Sequence, residues 1–249
     1  MKLTVTVITY NEAAHIDAAL ASVAWADEIL VVDSGSTDGT PDIARARATR
    51  VIVRDWPGYS EQKNFAADQA SHDWVLSMDA DERVTPALAN EIRELLAGEP
   101  DARGYRIRRV SFYLGQWIRT TDWWPDFQTR LYDRRAGRWS AVKIHESFKL
   151  NEGRPRKLRR EMEHYAYRDV SHHLEKINAY TTLIADQWME EGRRTNAFRV
   201  AIHPLLAFLR NYVWRAGFRQ GTTGLVISVL NSYYVFLKFA KLWERQRKG

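Results

Sequence analysis

The sequence contains no cysteine among its 249 residues. Disulfide bonds and metal sites built on cysteine, such as iron–sulfur clusters, are therefore excluded. Proline and glycine are also sparse, with 7 and 13 residues, which argues against a fibrous or disordered chain. Hydrophobic residues make up 45% of the chain, enough to bury the core of one large domain, or of one domain with a modest appendage.

Two common phosphate-binding loops are missing as well. The sequence has no Gly-x-x-x-x-Gly-Lys-Ser/Thr loop, and no Gly-x-Gly-x-x-Gly follows the first apolar segment. These absences argue against an ATPase and a nicotinamide-dependent dehydrogenase. The apolar run at residues 3–10 is interrupted by threonines and has no small-residue cleavage site, so we expect it to belong to the fold and the protein to stay in the cytoplasm.

Acidic residues are nearly absent from the C-terminal part of the chain. Residues 199–249 contain nine Lys or Arg and one acid, Glu244, and so carry a net charge of +8. Because the whole chain carries +6, residues 1–198 carry −2. This basic, aromatic-rich segment predicts an anionic partner such as a membrane surface or a nucleic acid.

Apolar strands alternate with helix-length segments over the first hundred residues. We predict strands at residues 3–9, 28–33, 50–54 and 74–78. The intervening helices are predicted at residues 16–23, from Thr40, from Ser60 and from Thr85, with these three residues as caps. This alternation indicates the α/β class, with a doubly wound, mostly parallel sheet covered by helices on both faces.

The pattern changes after residue 104. Short aromatic segments up to about residue 150 predict an antiparallel addition with loops, and residues from about 171 onward predict a C-terminal helical appendage. The predicted domains are therefore residues 1–170 and 171–249. His172 and His173 point apart if they are adjacent on a helix, so we predict surface or acceptor-side residues and no metal pair.

Acidic turns follow three of the predicted strands, at residues 9–12, 33–39 and 79–82. Ligands of open α/β sheets bind at the carboxyl ends of the strands. A single such turn would be ordinary helix capping, but three at one edge indicate a ligand site. Asp79 and Asp81 alternate along an extended segment and so share a face, which predicts a site for a divalent cation, Mg²⁺ or Mn²⁺, beside substrate phosphates.

These blocks, at residues 7–12, 28–40 and 78–82, resemble family-2 glycosyltransferases in their order and spacing. The resemblance implies an inverting, metal-dependent enzyme with the GT-A fold and a nucleotide-sugar donor, with a UDP-sugar favoured. It implies metal ligation by Asp81 together with Asp79. At the matching positions it implies donor contacts by six residues: Thr9, Tyr10, Glu12, Asp33, Lys63 and Asp79.

A second set of segments, at residues 124–132 and 142–146 with Trp139 between them, is similar to a bacterial branch of this family. That branch includes lipopolysaccharide inner-core glucosyltransferases. Residue 144 is Ile where the branch usually has Val. The resemblance implies transfer of a sugar, glucose in the first instance, to a membrane-linked glycan such as the lipopolysaccharide core.

Inversion requires one base near the acceptor hydroxyl. Glu146 is the first candidate and Asp126 the second. The structural alternative for Glu146 is a surface ion pair with Lys143 or Lys149. Nearby aromatic residues, Trp117, Trp123 and Trp124, fit either an acceptor platform or ordinary core packing. Three arginines on the preceding strand fit either a solvated face or an anionic acceptor: Arg106, Arg108 and Arg109.

Two apolar stretches in the basic segment, residues 205–218 and 225–243, predict helices. The second has about the length of a bilayer span but contains Asn231, Lys238 and Lys241, so we do not predict a transmembrane helix. We expect both to lie in the membrane interface, which would make the protein peripheral on the inner face of the cytoplasmic membrane. The alternatives are packing on the catalytic domain and formation of a homo-oligomer.

Two other functions stay open from the sequence. A sugar-nucleotide pyrophosphorylase has a related fold but needs a glycine-rich loop after the first strand, and residues 9–12 do not form one. A non-catalytic binder of anionic polymers or membranes would use the basic segment, but it leaves the three acidic turns unexplained. We expect no nucleic-acid partner.

Overall fold

A computed structural model describes residues 1–140 and 147–248. The chain divides into two compact units. The first comprises Met1–Arg109 and Phe127–His164, and the second comprises Val110–Asp126 and Tyr165–Gly249. The domain boundary predicted after residue 170 stays a prediction.

The strands lie in nine-stranded and two-stranded sheets within the described residues. They are β1 (Leu3–Thr9), β2 (Glu28–Asp33), β3 (Arg50–Val53), β4 (Trp74–Asp79), β5 (Glu82–Val84), β6 (Gly104–Tyr113), β7 (Gln116–Ile118), β8 (Asp126–Asp133), β9 (Gly137–Trp139), β10 (Phe148–Leu150) and β11 (Arg156–His164). The larger sheet has the order β3-β2-β1-β4-β8-β6-β11-β5 with β7 beside β6, and β9 pairs with β10.

Seven α-helices accompany these strands in residues 1–140 and 147–248. They are α1 (Ile16–Ala21), α2 (Thr40–Arg45), α3 (Tyr59–Gln69), α4 (Pro86–Ala97), α5 (Val170–Glu190), α6 (Ala197–Leu209) and α7 (Gly221–Lys248). A π-helical turn, Arg210–Trp214, continues α6. The predicted α/β class with a C-terminal helical appendage is confirmed.

The parallel part of the sheet holds the core of the first unit. β1 pairs in parallel with both β2 and β4, and every residue of β1 and β2 is buried. Such continuous burial is typical of a strand covered by helices on both faces. The sheet becomes mixed where β8 pairs antiparallel with β4, so the predicted antiparallel addition is also found.

Two of the three predicted helix caps are wrong. Thr40 is the first residue of α2, whose cap is Gly39 at φ +87°, a conformation that favours glycine. Ser60 lies inside α3, and its hydroxyl donates to the carbonyl oxygen of Ser140. Thr85 is confirmed, because its hydroxyl oxygen accepts from the Leu88 amide at 3.2 Å.

The second unit is organised around α7, which packs against α5 and α6. Its helices approach closely where side chains are small. A Cβ added to Gly224 would lie 1.8 Å from the Gly217 carbonyl oxygen. By length and composition, Gly217–Arg247 is the one helix in the described part of the chain that could cross a bilayer, because an 18-residue stretch within it has a mean hydropathy of 1.3. Core helices of soluble proteins pass the same test.

The second unit also contains an aromatic cluster. The ring of Tyr167 stacks on that of His173 at 4.0 Å and on that of Trp123 at 5.3 Å. His173 is buried, and its Nδ1 lies 3.1 Å from the Tyr113 hydroxyl. The predicted surface position is therefore wrong for His173, because it lies on the face of α5 that packs into this cluster. The acceptor-side alternative stays a prediction.

Candidate active site at the carboxyl ends of the strands

The ends of β1 and β2 form the first part of the site. Thr9 pairs with Asp33 in register, and the Ser34 amide donates to the Thr9 carbonyl oxygen at 2.9 Å. The buried Asp33 carboxylate accepts from the amides of Gly35 and Ser36 at 2.9 and 2.8 Å. Asp33 therefore fixes the loop that follows β2, whatever it also contacts in a bound donor.

Tyr10 and Thr9 present two groups suited to a ligand. The Tyr10 ring is exposed at the end of β1, where a flat base could stack on it. The Thr9 hydroxyl is buried and makes no hydrogen bond within the described part of the chain. Buried polar atoms are normally satisfied, so such a hydroxyl is available to a ligand. The Glu12 amide donates to the Thr40 hydroxyl oxygen at 2.9 Å, which ties this turn to α2.

Helix α3 contributes two buried polar residues. Lys63 is 1% exposed, and its ammonium lies 3.1 Å from Asp79 Oδ1 and 4.7 Å from the centre of the Trp139 ring. Gln62 is buried one position earlier. Its amide nitrogen donates to the Ser34 hydroxyl oxygen at 3.1 Å, while its amide oxygen has no hydrogen-bond partner among the described residues. Gln62 belongs to none of the sequence motifs described above.

An ion-pair network lies at the end of β4. Arg130 on β8 donates to Asp79 Oδ2 at 2.6 Å and also to Glu82. Arg109 on β6 donates to Glu82 at 2.9 Å, and the Glu82 side chain is fully buried. With Lys63, three cations surround two carboxylates. The predicted solvated face is therefore wrong for Arg109, which contacts a buried acid. Contact with an anionic acceptor stays a prediction.

The network changes the pKa values of Asp79 and Arg130. Burial alone would raise the pKa of Asp79, but Arg130, Lys63 and Arg109 outweigh it and hold that pKa well below the usual range. Burial would lower the pKa of Arg130, whereas Asp79 and Glu82 raise it further above its ordinary value. Asp79 and Arg130 are therefore both charged at neutral pH.

Asp81 lies beside a histidine, His164, that no sequence motif indicated. Its Oδ2 is 3.6 Å from Nε2 of His164, the last residue of β11. β11 pairs antiparallel with β5, and His164 stands opposite Glu82 in that register. The 82 residues between Asp81 and His164 carry no local signal of this contact, because strand pairing alone creates it.

A carboxylate and an imidazole at this spacing fit a divalent cation such as Mn²⁺. Within residues 1–140 and 147–248, no group of three or more His, Asp or Glu side chains is arranged to hold a metal. Two protein ligands would leave coordination positions for phosphate oxygens and water, as is usual for a cation held together with its substrate. Asp79 is already paired with Lys63 and Arg130, so the geometry favours Asp81 and His164 as the two protein ligands.

The sequence model described as Glycosyl transferase family 2 matches residues 4–153. The chain belongs to this family. It is 32% identical to a lipopolysaccharide core biosynthesis glycosyltransferase, LpsC, of Rhizobium meliloti, over 98% of this chain and 93% of that protein. It is 31% identical to an uncharacterised glycosyltransferase of Rickettsia prowazekii, over 100% of this chain and 89% of that one.

A solved structure supports the same fold for this family-2 chain. The mannosyltransferase PcManGT from Pyrobaculum calidifontis, in complex with GDP-Man and Mn²⁺, aligns with a TM-score of 0.54 at 16% identity. The alignment covers 98% of this chain and 88% of that one. At this identity the likeness concerns the fold, and the GT-A fold expected from the sequence is confirmed.

Of the two candidates for the base in this family-2 chain, only Asp126 lies within the described residues. Asp126 begins β8 and belongs to the second unit. Glu146 lies outside the described residues. The choice between them stays a prediction, as do the roles in donor and metal binding of the residues singled out from the sequence.

Proposed function

We propose that this family-2 glycosyltransferase moves a sugar, glucose in the first instance, from a nucleoside diphosphate donor to a lipid-linked glycan of the lipopolysaccharide core type. The observation that carries the proposal is the cationic network at the end of β4, next to Asp81 and His164. The relative named for lipopolysaccharide core biosynthesis, aligned over nearly the whole chain, supports the acceptor class.

The charges of the site suit a diphosphate leaving group. Lys63 and Arg130 are held in fixed positions by Asp79 and Glu82, so they need no reorganisation when negative charge develops beside them. Asp81 and His164 would hold a divalent cation, Mg²⁺ or Mn²⁺, which supplies further stabilisation of the leaving phosphates. The exposed Tyr10 ring and the unsatisfied hydroxyl of Thr9 would contact the nucleoside, for which uridine is our first expectation.

Inversion needs a carboxylate that accepts the proton of the acceptor hydroxyl as its oxygen bonds to the anomeric carbon and the diphosphate departs. We assign this role to Glu146, with Asp126 as the second candidate. Glu146→Gln and Asp126→Asn separate them, because the variant that lacks the base should lose transfer and still bind the donor. In this proposal the enzyme acts as a peripheral protein on the cytoplasmic side of the membrane that carries its lipid-linked acceptor.

The first experiment measures nucleoside diphosphate release from UDP-, GDP-, ADP- and dTDP-sugars, with a membrane glycolipid extract as acceptor. We expect release from one donor, stimulated by the extract and abolished by a chelator. Asp81→Asn should lower kcat/KM by about a thousandfold, because the cation that stabilises the leaving phosphates would lose its carboxylate ligand. The matched control is Asp42→Asn, an exposed carboxylate on α2.

Binding of Mn²⁺, followed by electron paramagnetic resonance, gives a readout that does not depend on turnover. Asp81→Asn and His164→Gln should each weaken Mn²⁺ binding in the presence of the nucleoside diphosphate. Unchanged binding and turnover in Asp81→Asn would refute the metal assignment. No release from any donor by the folded wild-type protein, with a competent extract, would favour the non-catalytic binder of anionic polymers.

A further inference from the structure

An exposed apolar face runs along α6 in the second unit. Phe198, Leu205 and Leu209 are 72%, 61% and 44% exposed. Their spacing of seven and four residues places them on one side of the helix. Val213 and Trp214 in the π-helical turn extend the apolar surface and are exposed as well. Large apolar side chains that are contiguous, unlike scattered ones, mark a surface that contacts something apolar.

Most of the charged residues around this face are basic. No Asp or Glu occurs between residues 192 and 243, where six Arg and two Lys are found. Three of these arginines, Arg194, Arg199 and Arg215, are exposed on or next to α6. Arg210 donates to Asp122, the acid that partly offsets the charge at this end of the unit. The apolar face is therefore flanked by cations.

A cleft of about 750 Å³ adjoins the N-terminal end of the same face. Its apolar walls include Trp188, Phe239 and Leu242, and Phe198 belongs both to the cleft and to the exposed face. Arginines at its edge are Arg193, Arg194 and Arg199. Arg193 is paired with Glu191 at 2.7 Å, whereas the Arg199 guanidinium donates to the Arg194 carbonyl oxygen at 3.2 Å. The cleft thus combines apolar walls with a cationic edge.

We propose that the α6 face and its arginine-edged cleft bind the surface of an anionic phospholipid bilayer, with a lipid phosphate at Arg194 and Arg199 and the apolar side chains of α6 among the acyl chains. Amphipathic helices of this composition bind membranes through buried apolar area and attraction to anionic lipids. The exposed Trp214 suits the interface, where tryptophan is enriched. A second copy of this face would bring cations against cations, which disfavours self-association.

This inference deepens the proposed function by naming the surface through which the enzyme would reach a lipid-linked acceptor. It concerns α6 and the cleft, and it does not require α7 to span the bilayer. Membrane binding is measured without donor or acceptor, so its failure and the failure of the transfer reaction are distinguishable.

The experiment is sedimentation of the full chain with vesicles, either of phosphatidylcholine alone or with phosphatidylglycerol added. We expect partitioning to the anionic vesicles that weakens as salt is raised. Arg194→Gln with Arg199→Gln should weaken it by roughly thirtyfold, because each basic residue near an anionic surface contributes a few-fold factor. Phe198→Ser with Leu205→Ser should weaken it at least as much.

Matched controls lie in the first unit. Arg45→Gln with Arg154→Gln removes the same number of exposed charges, and Val53→Ser removes an exposed apolar side chain. These variants should bind as the wild type does. Because all the substituted residues on α6 and in its cleft are exposed, circular dichroism should show an unchanged fold.

Three outcomes would overturn the proposal. One is equal binding to neutral and anionic vesicles. Another is salt-resistant binding that is the same in all variants, which would instead assign the membrane contact to α7. A third is a dimer in solution that the Phe198 and Leu205 substitutions abolish, which would assign the face to a second copy of the chain.

Discussion

In the first unit, Glu82 and Arg130 are buried and bound to each other, with Asp79, Lys63 and Arg109 around them. In the second unit, the arginines of residues 192–219 are exposed beside apolar side chains that are also exposed. A buried ion pair is sensitive to the loss of one member, because the remaining charge is left in a poorly solvated place. Each exposed charge contributes little to stability, and salt screens its interactions. Charged residues therefore fix the geometry of the candidate active site in the first unit, and they form an exposed surface in the second unit.

Arg130→Met should give the largest difference in stability between a buried and an exposed ion pair. Glu82 and Asp79 would lose their shared partner inside the first unit, and we expect the free energy of unfolding to fall by about 3–5 kcal/mol. Urea unfolding measures the change. Arg45→Gln is the matched control, because the Arg45–Asp42 pair is exposed and should contribute about 0.5 kcal/mol or less. A similar loss in both variants would mean that burial does not distinguish the two pairs.

Gly224→Ala tests the packing of the second unit. A Cβ at this position would overlap the Gly217 carbonyl oxygen, so helix α7 would have to shift. We expect a loss of about 1–3 kcal/mol in urea unfolding, as for other overpacked sites. Gly98→Ala is the control, since its Cβ would meet nothing closer than 3.9 Å. If Gly224→Ala were as stable as the control, the close approach of these segments would not be a stability determinant.

A fall in pH should change the stability of the two units differently, and by a smaller amount. Burial, with smaller contributions from His172 and Lys176, lowers the pKa of His173 to about 4 from an ordinary value of 6.5. Between these values the unfolded chain binds the proton and the folded chain does not, so stability falls as the pH falls through this window. We expect His173 to account for about 2 kcal/mol of the loss between pH 7 and pH 5.

Urea unfolding at the two pH values measures this loss. His173→Gln should flatten the pH dependence, whereas His203→Gln, a histidine substitution on α6, should not. In the first unit the Asp79 pKa is lowered, so its contribution to stability is retained until the pH falls below the ordinary carboxylate range. An unchanged pH dependence in His173→Gln would show that the histidine is not neutral in the folded chain.

Part of this fold could be predicted from local sequence. Strands β1, β2 and β4 are apolar runs bounded by polar turns, and their parallel pairing follows from the helices between them. The acids at their ends could be placed at one edge for the same reason. Thr85 followed by Pro86 was enough to place the start of α4.

The partners of those acids could not be predicted. Arg130 and His164 reach Asp79 and Asp81 through the antiparallel pairings of β8 and β11, whose register depends on contacts distant in sequence. Gln62 carried no motif, and only its burial with an unsatisfied amide oxygen marks it. The cap of α2 was misassigned because a threonine before a proline fits a cap, whereas the backbone conformation of Gly39 decides it.

The second unit consists of two stretches of chain that are far apart in sequence, Val110–Asp126 and Tyr165–Gly249. Trp123 and Tyr113 come from the first stretch, and they pack on Tyr167 and His173 from the second. A gene shortened after codon 164 would therefore yield a protein in which these two rings have lost their partners. Such a product would expose new apolar surface, so poor solubility after truncation would report the broken cluster and reveal nothing about where catalysis resides.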